Sequence, residues 1–147
     1  MKQFKYSMES VLQVNESSLQ LIEQEYAEIK GKLQDQHRRL EQLNRKRDSV
    51  KNEAYKGGGI NYFLQREMFY AKIKSETYKV NEVIEELNLE AFNCEQRLKA
   101  ARVKVKTHEK MRDKEFSSWQ LDMNREEQYR MDEIGLQGYM KKLEGDN

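Results

Sequence analysis

Residues 56–61 read KGGGIN, which places three consecutive glycines in a chain that has only seven glycines and no proline. Each glycine inside a helix costs about 1 kcal/mol relative to alanine, and glycine readily adopts the left-handed conformation that ends a helix. Lys56 on the carbonyl side and Asn61 as an N-cap fit a helix that stops and a second helix that starts. The stretch therefore predicts a turn over residues 57–60, built on Gly57, Gly58 and Gly59.

The residues before this turn carry an apolar heptad pattern. The pattern has three polar members, which in coiled coils fix the register at some cost in stability. A seam of this length needs a partner helix to cover it, so we predict a first helix over about residues 7–56. Steps of four and three residues give the seam as Met8, Leu12, Asn15, Leu19, Ile22, Tyr26, Ile29, Leu33, Gln36, Leu40, Leu43, Arg47, Val50 and Ala54.

A second seam with the same spacing follows the turn and predicts a second helix over about residues 61–134. Its apolar character thins out near residue 106, where the next positions in register are polar, and the residues after 134 are expected to fray to the end at 147. Two long amphipathic helices joined by a short loop form an antiparallel hairpin. The predicted fold is a single all-α coiled-coil hairpin domain with an overhanging C-terminal helix. The second seam comprises Phe63, Arg66, Tyr70, Ile73, Thr77, Val80, Ile84, Leu87, Ala91, Cys94, Leu98, Ala101 and Val105, followed by His108, Arg112, Glu115 and Trp119.

The charge pattern supports this antiparallel pairing. The stretch from Tyr6 to Ile29 has five glutamates and no basic residue. With the turn near residue 58, the facing stretch should be about residues 88–111, which is rich in lysine and arginine. Opposite charges that flank a seam set the orientation of coiled-coil helices, so the pattern favours a folded-back chain over a parallel dimer.

Composition limits the functional classes. The chain of 147 residues is 37% hydrophobic and 36% charged, and its mean hydropathy is −1.07. This composition has few core-forming residues for a compact globule of this size. One cysteine and two histidines cannot form a disulfide framework or a recognisable zinc site. No apolar run approaches the roughly 20 residues that span a bilayer, and no secretory signal is present at the start. We expect a soluble protein of the reducing cytosol, without a cofactor or a small-molecule substrate.

No catalytic arrangement is apparent. His37, His108 and Cys94 lie apart in sequence, and the glycines lack the strand and the Gly-Lys-Ser/Thr ending of a phosphate-binding loop. Eight basic residues between Arg97 and Lys114 leave nucleic-acid binding open, although the acidic first helix should neutralise much of that charge. Aromatic side chains near both ends either pack locally or anchor a partner. These aromatic residues are Phe4, Tyr6, Phe116, Trp119, Tyr129 and Tyr139.

Four short stretches give the chain its family resemblance. They are FKYSMESVL at residues 4–12, the Glu25-Tyr26 pair, EKM at residues 109–111 and MDEI at residues 131–134. With them, nearly the whole chain resembles the flagellar export protein FliJ, in particular its Gram-positive members. The family is similar to the central stalk of rotary ATPases. The resemblance implies a non-enzymatic component of type III flagellar export that binds the ring of the export ATPase FliI, contacts the export-gate protein FlhA and escorts export chaperones, in the cytoplasm and peripherally at the membrane.

The resemblance and the position of residues on the hairpin suggest two sets of contacts. The candidate ring contacts are Phe4, Tyr6, Glu109, Lys110, Met111, Arg112, Lys114 and Trp119. The candidate gate contacts are Leu40, Leu43, Arg47, Val50, Tyr70 and Ile73. Most of the gate candidates are also seam residues, so hairpin packing alone is an equally good interpretation of them. The alternative function is a general coiled-coil scaffold or chaperone that binds an acidic protein or nucleic acid.

Overall fold

The computed structural model describes residues 2–52 and 59–145, which contain two helices, α1 (Glu9–Asn52) and α2 (Gly59–Gly145). No strand occurs among these residues. The helices pack against each other, which confirms the predicted all-α hairpin. Within the described ranges, neither helix contains a segment apolar enough to cross a membrane.

The contacts divide the chain into two compact units. The single coiled-coil domain stays a prediction. The core unit is Ser18–Ala101, and the terminal unit is Met1–Ser17 together with Arg102–Asn147. The boundary on α2 lies close to residue 106, where the apolar stripe was predicted to thin. A change in the composition of the seam therefore coincides with a change in how the helix is packed.

The core unit is held together by the predicted seam. Eight buried side chains from both helices form one cluster, against which Ile22, Tyr26 and Leu40 pack. Ile22 lies beside Cys94, whereas Arg39 and Gln42 share a groove with Glu76, so positions descend along α2 as they rise along α1. This is the antiparallel pairing that the charges predicted. The cluster comprises Ile29, Leu33, Leu43, Val80, Ile84, Leu87, Ala91 and Cys94.

The ends of the helices differ in part from the sequence prediction. α1 begins at Glu9, whose N–H donates to the Tyr6 carbonyl at 3.2 Å. α2 begins at Gly59, where φ is +64°, and the predicted turn residues Gly57 and Gly58 lie outside the described residues. Beyond Ile134, where fraying was expected, α2 continues to Gly145. Single glycines cost about 1 kcal/mol each, and the good helix formers between them are able to offset that cost.

The two ends of the seams are also less buried than predicted. Met8 and Phe63 are exposed, as is Arg47, while Ala54 lies outside the described residues. All residues from 124 to 145 are exposed, as expected for the overhanging part of α2. By contrast, the seam positions after Val105 are half-buried, because the N-terminal segment covers them. These half-buried positions are His108, Arg112, Glu115 and Trp119.

Candidate functional site

The terminal unit fastens the segment before α1 to the side of α2. Tyr6 is buried, and its hydroxyl lies 3.3 Å from Nδ1 of His108, to which it donates when the imidazole proton is on Nε2. Ser7 makes two further hydrogen bonds to one carboxylate: its backbone N–H donates to Glu115 Oε2 at 3.2 Å, and its hydroxyl donates to Oε1 at 2.6 Å. A hydrogen bond to a charged acceptor is about twice as strong as a neutral one. The segment is therefore held by specific polar contacts.

Three aromatic rings extend this attachment. Phe4 packs edge-on against Phe116, with 5.2 Å between ring centroids, and lies 5.8 Å from Trp119. Phe116 and Trp119 stack on each other at 5.8 Å. Such pairs contribute about 0.5 to 1.5 kcal/mol each beyond the area that they bury. Local packing, one of the two roles expected for these aromatics, is thus observed for Phe4, Phe116 and Trp119.

The predicted ring-contact residues lie together in this unit but differ in accessibility. Phe4, Tyr6 and Trp119 belong to the attachment just described. Arg112 is half-buried and borders a shallow groove with Phe4, Lys5, Tyr6 and Glu9. Glu109 is also half-buried. The exposed members of the set are Lys110, Met111 and Lys114, whose spacing places them on adjoining parts of one helix face.

Three of the six predicted gate-contact residues pack in the core unit. Leu43 and Ile73 are buried, and Leu40 packs against the core cluster. Val50 is half-buried, and Arg47 is exposed and pairs with Asp48 at 3.5 Å. For the buried members, the structure gives a packing role.

Tyr70 has a polar environment of its own. Its hydroxyl accepts hydrogen bonds from Nε and Nη2 of Arg66, at 3.2 and 3.1 Å. The guanidinium carbon also lies 5.4 Å from the centroid of the Tyr70 ring. The hydrogen bond to Tyr70 raises the pKa of Arg66. Tyr70 is half-buried, so part of its ring is accessible to a partner.

Two residues of the attachment, Ser7 and Glu115, were not identified as functional from the sequence. Glu115 was placed in the second seam, but its partner lies in a segment without heptad periodicity. A charged residue at a seam position is a signal that the facing chain is polar. That signal could have identified Glu115, but the identity of Ser7 as its partner depends on the path of the non-helical segment.

The described residues show no cluster suited to metal binding, and the cysteine among them is buried. No group of three or more histidine, cysteine or acidic side chains in residues 2–52 and 59–145 could hold a metal ion. Cys94 is fully buried, and its thiol lies 3.8 Å from the carbonyl oxygen of Ile22. A buried thiol in apolar surroundings is a packing residue.

The fold defines the class of protein as a two-helix antiparallel coiled-coil hairpin. The family model described as "Flagellar FliJ protein" matches residues 4–144. No curated protein and no solved structure matches the chain. The chain belongs to the flagellar FliJ protein family, and this membership makes it a component of flagellar protein export.

Proposed function

We propose that this chain is a non-enzymatic coupling protein of flagellar export. In this proposal it acts as a central-stalk-like coiled coil that binds the ring of the export ATPase FliI, promotes its assembly and ATP hydrolysis, and links it to the export-gate protein FlhA. It would work at the cytoplasmic face of the membrane, at the base of the flagellum. Escort of export chaperones remains a prediction from the family resemblance.

The observation that supports ring binding is the attachment of the N-terminal segment to α2. Because Phe4 and Tyr6 are attached to this helix, the candidate ring contacts of the N-terminal segment and those of α2 belong to one packed unit. The exposed Lys110, Met111 and Lys114 belong to the same unit. Protein interfaces combine apolar anchors with charges that orient the partner, and the exposed face of Lys110, Met111 and Lys114 offers both.

A hairpin inside a ring has a physical basis for regulating it. Two unlike helices present different side chains in different directions, whereas the subunits of a ring are equivalent. Each subunit therefore meets a different set of contacts, and a subunit conformation that gains more from its contacts becomes more populated. Assembly and hydrolysis can both be biased in this way without any catalytic group in the hairpin.

For the gate, burial favours a division of roles among the candidates. Leu43 and Ile73 would keep the hairpin closed. Direct contact with FlhA would fall to Arg47 and to the accessible parts of Val50 and Tyr70. Arg47 and Tyr70 are also residue types that frequently anchor protein interfaces.

Sedimentation of FliI with the full-length chain tests the ring proposal. We expect the chain to increase the fraction of FliI that sediments as assembled rings, and the triple variant Lys110→Ala/Met111→Ala/Lys114→Ala to lose this effect. The matched control is Lys141→Ala/Lys142→Ala, which removes two exposed lysines of the same helix outside the candidate set. Unchanged assembly at saturating concentrations of the wild-type chain would contradict the proposal.

A further inference from the structure

The beginning of α2 exposes an apolar face. Ile60, Phe63, Leu64 and Met68 are 78%, 59%, 52% and 73% exposed. Ile60, Leu64 and Met68 are four residues apart, so they form one stripe along the first turns of the helix. The seam of the same helix runs through Tyr70 and Ile73, which are half-buried and buried. Contiguous exposed apolar side chains of this size mark a binding surface.

Basic residues surround this stripe in sequence. Residues 45–74 contain eight lysines and arginines against three acidic residues, a net charge of +5 in a chain whose net charge is +1. In this segment Arg45 pairs with Glu41, and Arg47 pairs with Asp48. Exposed lysines supply further positive charge on both helices of the core unit. They are Lys46, Lys51, Lys72 and Lys74.

A second exposed apolar stretch near the end of α2 provides a contrast. Met131, Ile134 and Leu136 are also exposed, but residues 115–145 contain seven acidic residues against four basic ones, a net charge of −3. An anionic surface would repel this second stretch. Exposed apolar side chains are thus combined with a strong positive charge at the start of α2 and with a negative charge near its end.

From this combination we infer that the apolar stripe Ile60, Leu64 and Met68, together with its surrounding lysines and arginines, binds anionic phospholipid membranes. The stripe enters the boundary between headgroups and acyl chains, as the apolar face of an interfacial amphipathic helix does. The lysines and arginines stay among the phosphate groups, where each contributes about 1 kcal/mol of attraction, a fivefold change in affinity. The inference rests on the core unit alone and does not depend on binding of FliI or FlhA.

Membranes fit this surface better than nucleic acid does. Single-stranded nucleic acid requires a basic groove with aromatic rings on which bases stack. The stripe instead consists of isoleucine, leucine and methionine, which cannot stack with bases but transfer favourably into an acyl-chain environment, and Phe63 adds a single exposed ring beside it rather than a series of stacking platforms. An acidic protein is the other class of partner, and the experiment below separates it from lipid.

Co-sedimentation of the full-length chain with vesicles provides the test. We expect binding to vesicles of phosphatidylcholine with about 30% phosphatidylglycerol, weaker binding to pure phosphatidylcholine, and a decline as salt increases from roughly 50 to 500 mM. Ile60→Gln/Met68→Gln should weaken binding about tenfold, because it removes the inserted apolar groups. Lys72→Gln/Lys74→Gln should weaken it about 25-fold, from two losses of about fivefold.

Matched variants in the acidic stretch serve as controls. Met131→Gln/Ile134→Gln and Lys141→Gln/Lys142→Gln change the same types of exposed residue and should leave vesicle binding unchanged. Circular dichroism should show equal helix content for all variants, since each altered side chain is exposed. Equal loss of binding in the control and test variants would overturn the inference.

A tryptophan probe distinguishes insertion from attraction by charge alone. In a Trp119→Phe background, Leu64→Trp should shift its emission to the blue on anionic vesicles and be quenched by brominated acyl chains, whereas Ile134→Trp should not. Absence of vesicle binding, equal binding to neutral and anionic vesicles, or an unshifted emission from the Leu64→Trp variant would overturn the inference. So would test variants that lose binding to the cytosolic part of FlhA but keep vesicle binding, because the stripe would then be a protein contact.

Discussion

Arg97 of α2 donates a 2.7 Å hydrogen bond to the carboxylate of Glu25 on α1, across 72 positions of sequence. This bond raises the pKa of Arg97, and both side chains remain about half exposed. The pair is one instance of the complementarity between the acidic first arm and the basic stretch that faces it. It therefore reports on the register of the hairpin.

Charge reversal at this pair should reveal that register. Arg97→Glu brings two carboxylates together, so we expect a lower midpoint of urea unfolding, and the added change Glu25→Arg should restore much of it. The differences should shrink at about 1 M salt, because the pair is exposed to screening. Additive effects of the two single changes at low salt would contradict the pairing.

Two leucines that are close in sequence should differ strongly in their contribution to stability. Leu87 is 8% exposed in the core cluster, whereas Leu89 is 63% exposed on the same helix. Leu87→Ala should lower the free energy of unfolding by about 2 to 4 kcal/mol, because it leaves a cavity between the helices. Leu89→Ala should change it by less than about 0.5 kcal/mol. Urea titrations followed by circular dichroism measure both, and similar losses would contradict the seam.

The thiol of Cys94 should be protected in the folded protein. Because the side chain has no exposed surface, we expect labelling with a disulfide reagent to be slow in buffer and fast in denaturant. The control is Asn93→Cys in a Cys94→Ala background, since residue 93 is exposed and should label at once. Rapid labelling of native Cys94 would show that the helices separate readily at this point.

The attachment of the N-terminal segment should be visible in the emission of Trp119, the chain's single tryptophan. Phe4→Ala removes the ring that packs on Phe116 and Trp119, so we expect the Trp119 emission to move to longer wavelength. The free energy of unfolding should fall by about 1 to 2 kcal/mol. Phe92→Ala, which alters an exposed ring in the core unit, is the control. An emission spectrum that Phe4→Ala leaves unchanged would exclude the aromatic cluster in solution.

Glycine substitutions should have opposite signs at the two ends of α2. At Gly59, φ is +64°, so Gly59→Ala should cost about 1 kcal/mol from the backbone alone. Gly135 and Gly138 are helical, and a new Cβ would meet no atom within 4 Å, so alanine there should stabilise the helix by about 0.5 to 1 kcal/mol each. Thermal unfolding and helix content measure the signs, and a stabilising Gly59→Ala would contradict the assigned start of α2.

The sequence was sufficient to predict the hairpin because heptad spacing depends only on helix geometry. Leu33, Leu43, Ile84 and Leu98 were placed in the seam and are buried. The exposure of Met8 and Phe63 was not predicted, because a periodic pattern does not show where the partner chain stops covering the seam.

The candidate site was less predictable than the fold. His108 and Glu115 were placed where the apolar stripe of α2 thins, yet they form hydrogen bonds with Tyr6 and Ser7. Those contacts depend on the path of a non-helical segment. Local sequence propensities do not predict which residues of such a segment lie opposite which residues of α2. Similarly, the apolar stripe at Ile60 lies off the seam, and its exposure depends on how closely α1 covers the start of α2.

ATP hydrolysis by FliI, measured while the full-length chain is added, tests the proposed coupling role most directly. The account predicts a rate that rises to a plateau with the wild-type chain and with Lys141→Ala/Lys142→Ala, and a much smaller rise with Lys110→Ala/Met111→Ala/Lys114→Ala. A rate that stays at the level of FliI alone, at concentrations of the chain that saturate any binding, would contradict it.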